Sequence, residues 1–117
     1  MWLPLVGLAI GLIIGSVVSV SIPAEYARYT AVAILAALDS VLGAARATLS
    51  GDYDNTIFIT GFFTNTILAG ILTLLGDRLG VELYYAAIFA FGVRLFNNLA
   101  VIRRLLLVRW SRNPRRA

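Results

Sequence analysis

The sequence contains no cysteine, no histidine and no lysine. Without cysteine there can be no disulfide and no thiolate nucleophile, and the redox compartment leaves no trace. Without histidine, the commonest general base and metal ligand are missing. Acidic residues are scarce as well, six in 117. Charged residues make up 14% of the chain, against roughly 25% in an ordinary soluble domain. What is there instead is apolar, with 60% of residues hydrophobic. This composition belongs to a membrane protein, and the length allows one domain with at most about four spans of roughly 20 residues. All ten basic residues are arginine, and six of them (Arg103, Arg104, Arg109, Arg112, Arg115 and Arg116) fall in the last fifteen positions. The basic character therefore sits mainly at one end.

The expected fold is all-α: a compact bundle of four transmembrane helices at about 3–22, 24–49, 56–75 and 82–109, in a single domain of residues 1–110, with a basic tail over 111–117. Residues 3–22 carry no charge and are long enough to span a bilayer. They lack the positive leading region and cleavage site of a signal peptide. Gly7, Gly11 and Gly15 recur every four residues, a smooth ridge on which another helix can pack closely. Pro23 suits the first turn of the second helix, and Glu25 its positive end. That helix is the weakest span, because Asp39 interrupts it and Arg46 follows. Ala36, Ser40, Gly43 and Ala47 give it a small-residue face suited to packing. The alternative architecture has three spans, with this second helix re-entrant or interfacial.

The segment GDYDN at 51–55 is polar. It resembles the start of a calcium loop but lacks the required glycine and distal glutamate, so a turn with an Asp or Asn helix cap is expected. Gly76 is expected to cap the third helix. The arginine cluster places the C-terminus in the cytoplasm. Trp2, Tyr53 and Trp110 then fall at the inner interface, and Tyr26, Tyr29, Tyr84 and Tyr85 at the outer one.

Polar residues inside the spans need explanation, since an unpaired charge at mid-membrane costs about 2.5–3.5 kcal/mol on insertion scales. Asp39 lies ten residues beyond Tyr29, and Arg94 eleven beyond Leu83. At about 1.5 Å per residue both reach the middle of a core about 30 Å thick, and Asn65 arrives there from the other side. Asp39 and Arg94 are expected to pair. Asn65 and one of Asn97 or Asn98 are expected to satisfy the remaining donors and acceptors. This layer reads in two ways, as a structural ion pair or as a polar path that would require a homo-oligomer. The C-terminal arginines are expected to meet anionic lipid at the cytoplasmic face. Neither a nucleophile–base pair nor a metal cage can be assembled, so no enzyme activity, cofactor, metal or nucleic-acid partner is expected.

MWLP at the start, IPAEY after the first span, AALDS with GAARA, GFFTN in the third segment and above all IFAFGVRLFNNLAVIRR resemble the bacterial small basic protein family, over Met1 to Trp110. The resemblance implies a multi-pass protein of the bacterial plasma membrane whose genes lie close to cell-division and envelope genes. It implies a division or envelope protein as partner and supplies no catalytic residue. A shorter likeness, GFFTN followed by Ala69-Gly70, is to the polar helix of small fluoride channels.

Overall fold

The computed structural model describes residues 2–112. Four helices follow one another: α1, Trp2–Val17; α2, Ala27–Leu49, entered through a 3-10 turn at Ala24–Tyr26; α3, Asn55–Leu79; and α4, Tyr84–Ser111. The fold is all-α, with no strand among the described residues. Three of the helices are long and apolar enough to cross a membrane, the second among them.

The first helix is shorter than its apolar run. It stops at Val17 and not at Ile22, which leaves 16 residues, about 24 Å at 1.5 Å per residue. The next residues alternate valine or isoleucine with serine, and Pro23 disfavours helical backbone at Ile22. An apolar run long enough to span is thus not helical throughout. Pro23 itself precedes the 3-10 turn, so α2 proper starts at Ala27.

The third helix is longer than expected, and its cap is a different glycine. Gly76 lies buried inside α3, and the left-handed cap is Gly80, at φ 70°. Gly76 serves a close approach instead. A Cβ there would lie 2.5 Å from the Val81 carbonyl oxygen and 2.9 Å from the Leu83 nitrogen. The Gly76 carbonyl also accepts from the Val81 N–H at 3.0 Å, so the chain folds back tightly over this residue. Helix α4 starts and ends two residues later than expected, so Ser111 belongs to the helix and not to the tail. At the start of α3 the cap is Asp54, whose Oδ1 accepts from Thr56 N–H at 2.8 Å and Ile57 N–H at 3.1 Å. It satisfies two donors that the first turn would leave orphaned.

Helix α2 is the hub. It packs along both α3 and α4, which touch each other sparingly. The buried core is built from Val32, Ala36, Ala69, Ala87 and Phe91. Small residues dominate it, as expected where close backbone approach drives helix association. Thr73, also buried, returns its hydroxyl to the Ala69 carbonyl at 2.8 Å. Helix α1 stands largely apart, and among the described residues nothing lies within 4 Å of a Cβ built on Gly7, Gly11 or Gly15.

Each end of the α2–α3–α4 unit is tied by arginine. At one end Arg28 reaches Asp77 at 3.2 Å and Glu82 at 3.3 Å, and its guanidinium carbon lies 5.1 Å from the centre of the Tyr84 ring. The Tyr29 hydroxyl donates to Asp77 Oδ2 at 3.1 Å. At the other end Arg109 donates to the Leu49 carbonyl at 3.2 Å.

Candidate functional site

The polar residues inside the spans meet where the hub faces both neighbours. Asp39 is on the inner side of α2, one turn past Ala36, and is 1% exposed. Arg94 on α4 places Nε 3.1 Å from Asp39 Oδ1. The regular rise of two helices running in the same direction brings the two residues to one level. The pair is lopsided, because the Arg94 side chain is 55% exposed. It is also incomplete: Asp39 Oδ1 has no hydrogen-bond partner among the described residues, so the contact is ionic without an aligned N–H. A carboxylate that loses water needs several donors to offset the cost, and the chain supplies one misaligned one.

The asparagines do not fill that gap. Asn98 is buried, 8% exposed, but its Oδ1 accepts at 3.2 Å from Nη1 of Arg46, which lies about two turns beyond Asp39 along α2. Its Nδ2 faces Gly43, 3.8 Å from where a Cβ would stand. Asn97 points outward. Asn65 lies beside Arg94 in the walls of two cavities and gives no hydrogen bond to Asp39 Oδ1. The expected four-residue network is therefore two separate contacts, Asp39–Arg94 and Arg46–Asn98. Residue spacing fixes depth, but which asparagine turns inward depends on how α4 is rotated against α2.

Sequence reasoning missed the cavities. One, about 230 Å³, runs between α2 and α3 from Asp39, Ser40 and Asn65 to the connecting loop at Asp52, Tyr53 and Asp54. A second, about 160 Å³, lies in the cleft between α3 and α4 and is lined by Ala69, Ala87, Phe91 and neighbours. Asn65 and Arg94 belong to both walls, so the two cavities lie on either side of these residues, and Asp39 borders the first alone. The signal in the sequence was the glycine and alanine series along the facing sides of α2 and α3, which leaves space where larger side chains would fill it.

The C-terminal arginines Arg103, Arg104, Arg109 and Arg112 are exposed along the end of α4, next to Trp110. Arg115 and Arg116 lie outside the described residues. Among the described residues no group of three or more Asp, Glu, His or Cys could hold a metal ion.

The family model described as a protein of unknown function (DUF1290) matches residues 22–107, which hold α2, α3, most of α4 and both cavities. The chain is 56% identical over 111 residues to a small basic protein of Bacillus subtilis (strain 168), covering 95% of this chain and 92% of that one. It is 38% identical over 101 residues to uncharacterized proteins of Mycobacterium bovis and Mycobacterium tuberculosis, covering 85% of this chain and 84% of each of those. These relatives indicate no enzyme family. No solved structure matches.

Proposed function

This chain belongs to the small basic protein family, DUF1290, and from that membership we propose a non-enzymatic, multi-pass protein of the bacterial plasma membrane. It assembles with copies of itself and scaffolds or modulates cell-division or envelope machinery. The observation that carries the assembly is the open side of Arg94. A guanidinium at mid-span, 55% exposed, is costly in lipid and calls for cover from another protein surface. The unpartnered glycine face of α1 offers a second surface for close helix packing. The division or envelope partner rests on the resemblance alone. The C-terminus is cytoplasmic in this reading, with the exposed arginines of α4 against anionic lipid, at about 1 kcal/mol each near the surface.

The test is a fluorescent fusion followed in dividing cells of the host, together with deletion of the gene. Enrichment at the septum and a division or envelope defect are the expected results. An even distribution with normal division and an intact envelope would refute the role. Since the chain has no cysteine, single cysteines placed at Ser50 and Ser21 report sidedness directly. Ser50 should label from the cytoplasmic side only, and Ser21 from the outside.

A second reading is favoured by the two cavities that share Asn65 and Arg94 in their walls: an oligomeric channel or carrier whose path crosses this level. Reconstituted flux that falls in both Asp39→Asn and Asn65→Ala is its expected signature. Absence of flux, or flux indifferent to both changes, counts against it.

A further inference from the structure

The groove between α2 and α3 has a chemistry of its own. Three of the six acidic residues of the chain line it, Asp39 at its deep end and Asp52 and Asp54 at its mouth, against one arginine, Arg94. In a protein of formal charge +4 this is a local reversal of sign. Two of the other acids are already engaged, by Arg28. Asp54 is occupied as the α3 cap, which leaves Asp52 as the carboxylate of the mouth with no ion pair or hydrogen bond among the described residues.

The buried polar atoms tell the same story. Among the described residues, Asp39 Oδ1 and the Tyr53 hydroxyl are buried without a hydrogen-bond partner, and both residues line this one groove, at opposite ends. An orphaned buried polar atom costs about 1–3 kcal/mol. At one end the Tyr53 hydroxyl has no partner, and at the other Asp39 Oδ1 has only the misaligned Arg94 contact at 3.1 Å, so among the described residues each end of the cavity is short of donors.

Between the two ends the walls are apolar and aromatic. Gly43, Ala44, Ala47 and Gly61 keep them smooth. Tyr53, Phe58 and Phe62 run along one side, with ring centres 6.3 Å and 6.4 Å apart in succession. Ring faces attract cations and accept methylene groups. From Asp39 to Ala47 the α2 wall rises eight residues, about 12 Å at 1.5 Å per residue.

We propose that this groove binds an elongated aliphatic polyamine, a chain of methylenes with ammonium groups at its ends. One terminal ammonium donates to Asp39 beside Ser40 and Asn65, and the other to Asp52 and the Tyr53 hydroxyl. The methylenes lie along the Tyr53–Phe58–Phe62 wall. A compact cation satisfies one end only, and an anion is opposed by the mouth. A metal ion would leave the aromatic wall unused.

The test uses the full chain in nanodiscs of zwitterionic lipid, with binding measured by calorimetry. The probes are spermidine, the shorter diamine putrescine, butylamine and magnesium ion. The expected result is saturable binding of spermidine, about tenfold weaker for putrescine and weaker again for butylamine, with no competition from magnesium at equal charge concentration. Gly61→Leu puts a side chain into the groove, where nothing lies within 4 Å of its Cβ, and should abolish binding while leaving the Asp39–Arg94 pair untouched. Asp52→Asn should weaken binding about tenfold. Asp39→Asn should do the same, but the first two variants decide the matter if it fails to fold. Equal response to magnesium, absence of a length preference, or full binding by Gly61→Leu would each overturn the proposal.

Discussion

Arg94 Nε and Asp39 Oδ1 lie 3.1 Å apart, yet one side chain is 55% exposed and the other 1%. The asymmetry sets what each mutation does. Asp39→Asn leaves without its counter-charge a guanidinium that is only half buried in the chain, whereas Arg94→Gln leaves a carboxylate sealed in the core with no compensating charge. Breaking a fully buried pair costs about 3–5 kcal/mol. Asp39→Asn should fall below that range and Arg94→Gln within it. The double variant should recover part of the loss, read as thermal unfolding in detergent by a double-mutant cycle. Additive losses would mean the ion pair contributes no coupling.

The adjacent asparagines should behave differently. Asn98 is buried and accepts from Arg46, so Asn98→Ala removes a hydrogen bond and strands a guanidinium donor, at about 1–2 kcal/mol. Asn97 is exposed, and Asn97→Ala should stay within about 0.5 kcal/mol. The same unfolding assay compares the two, and equal effects would show that α4 is rotated differently against α2.

Two glycines four residues apart should also separate. Gly76→Ala drives a methyl group into backbone at Val81 and Leu83, and backbone cannot move aside as a side-chain end can. A loss at or above the usual overpacking cost of about 1–3 kcal/mol is expected. Gly80→Ala meets no atom within 4 Å but must hold φ 70°, a strain of about 1 kcal/mol. If Gly80→Ala proved the more damaging, the tight turn over Gly76 would not be the constraint described.

Arg28 ties Asp77 and Glu82 at the end of the bundle, but its side chain is 43% exposed. Exposed ion pairs contribute roughly 0–1 kcal/mol each. Arg28→Ala should therefore lower stability by only about 1 kcal/mol, and the difference should shrink as salt rises. A loss that salt leaves unchanged would point to the stacking on Tyr84 as the larger contribution.

Depth was legible in the sequence and rotation was not. A helix rises by a constant step, so counting from Tyr29 and Leu83 brought Asp39 and Arg94 to one level. Partner choice among Asn65, Asn97 and Asn98 depends on the angle each helix turns toward α2, and hydrophobicity that surrounds a span on every side does not encode it. Ends were legible where side-chain chemistry fixes them, as at Asp54. They were missed where two residues competed, as with Gly76 and Gly80, or where β-branched residues and serine end a helix inside an apolar run, as after Val17. The cavities were invisible because they are made of missing volume.

Helices α3 and α4 each lean on α2 and hardly on each other. The assembly therefore resembles two covers hinged on one spine. The α2–α4 cover is riveted by Asp39–Arg94, Arg46–Asn98 and Arg109 to the Leu49 carbonyl. The α3 cover is held by the capped loop at one end and by Arg28 and Tyr29 on Asp77 at the other. The polar ties to α4 and those to α3 are thus separate sets: the first hold the charge beside Asp39, and the second bound the groove at its two ends.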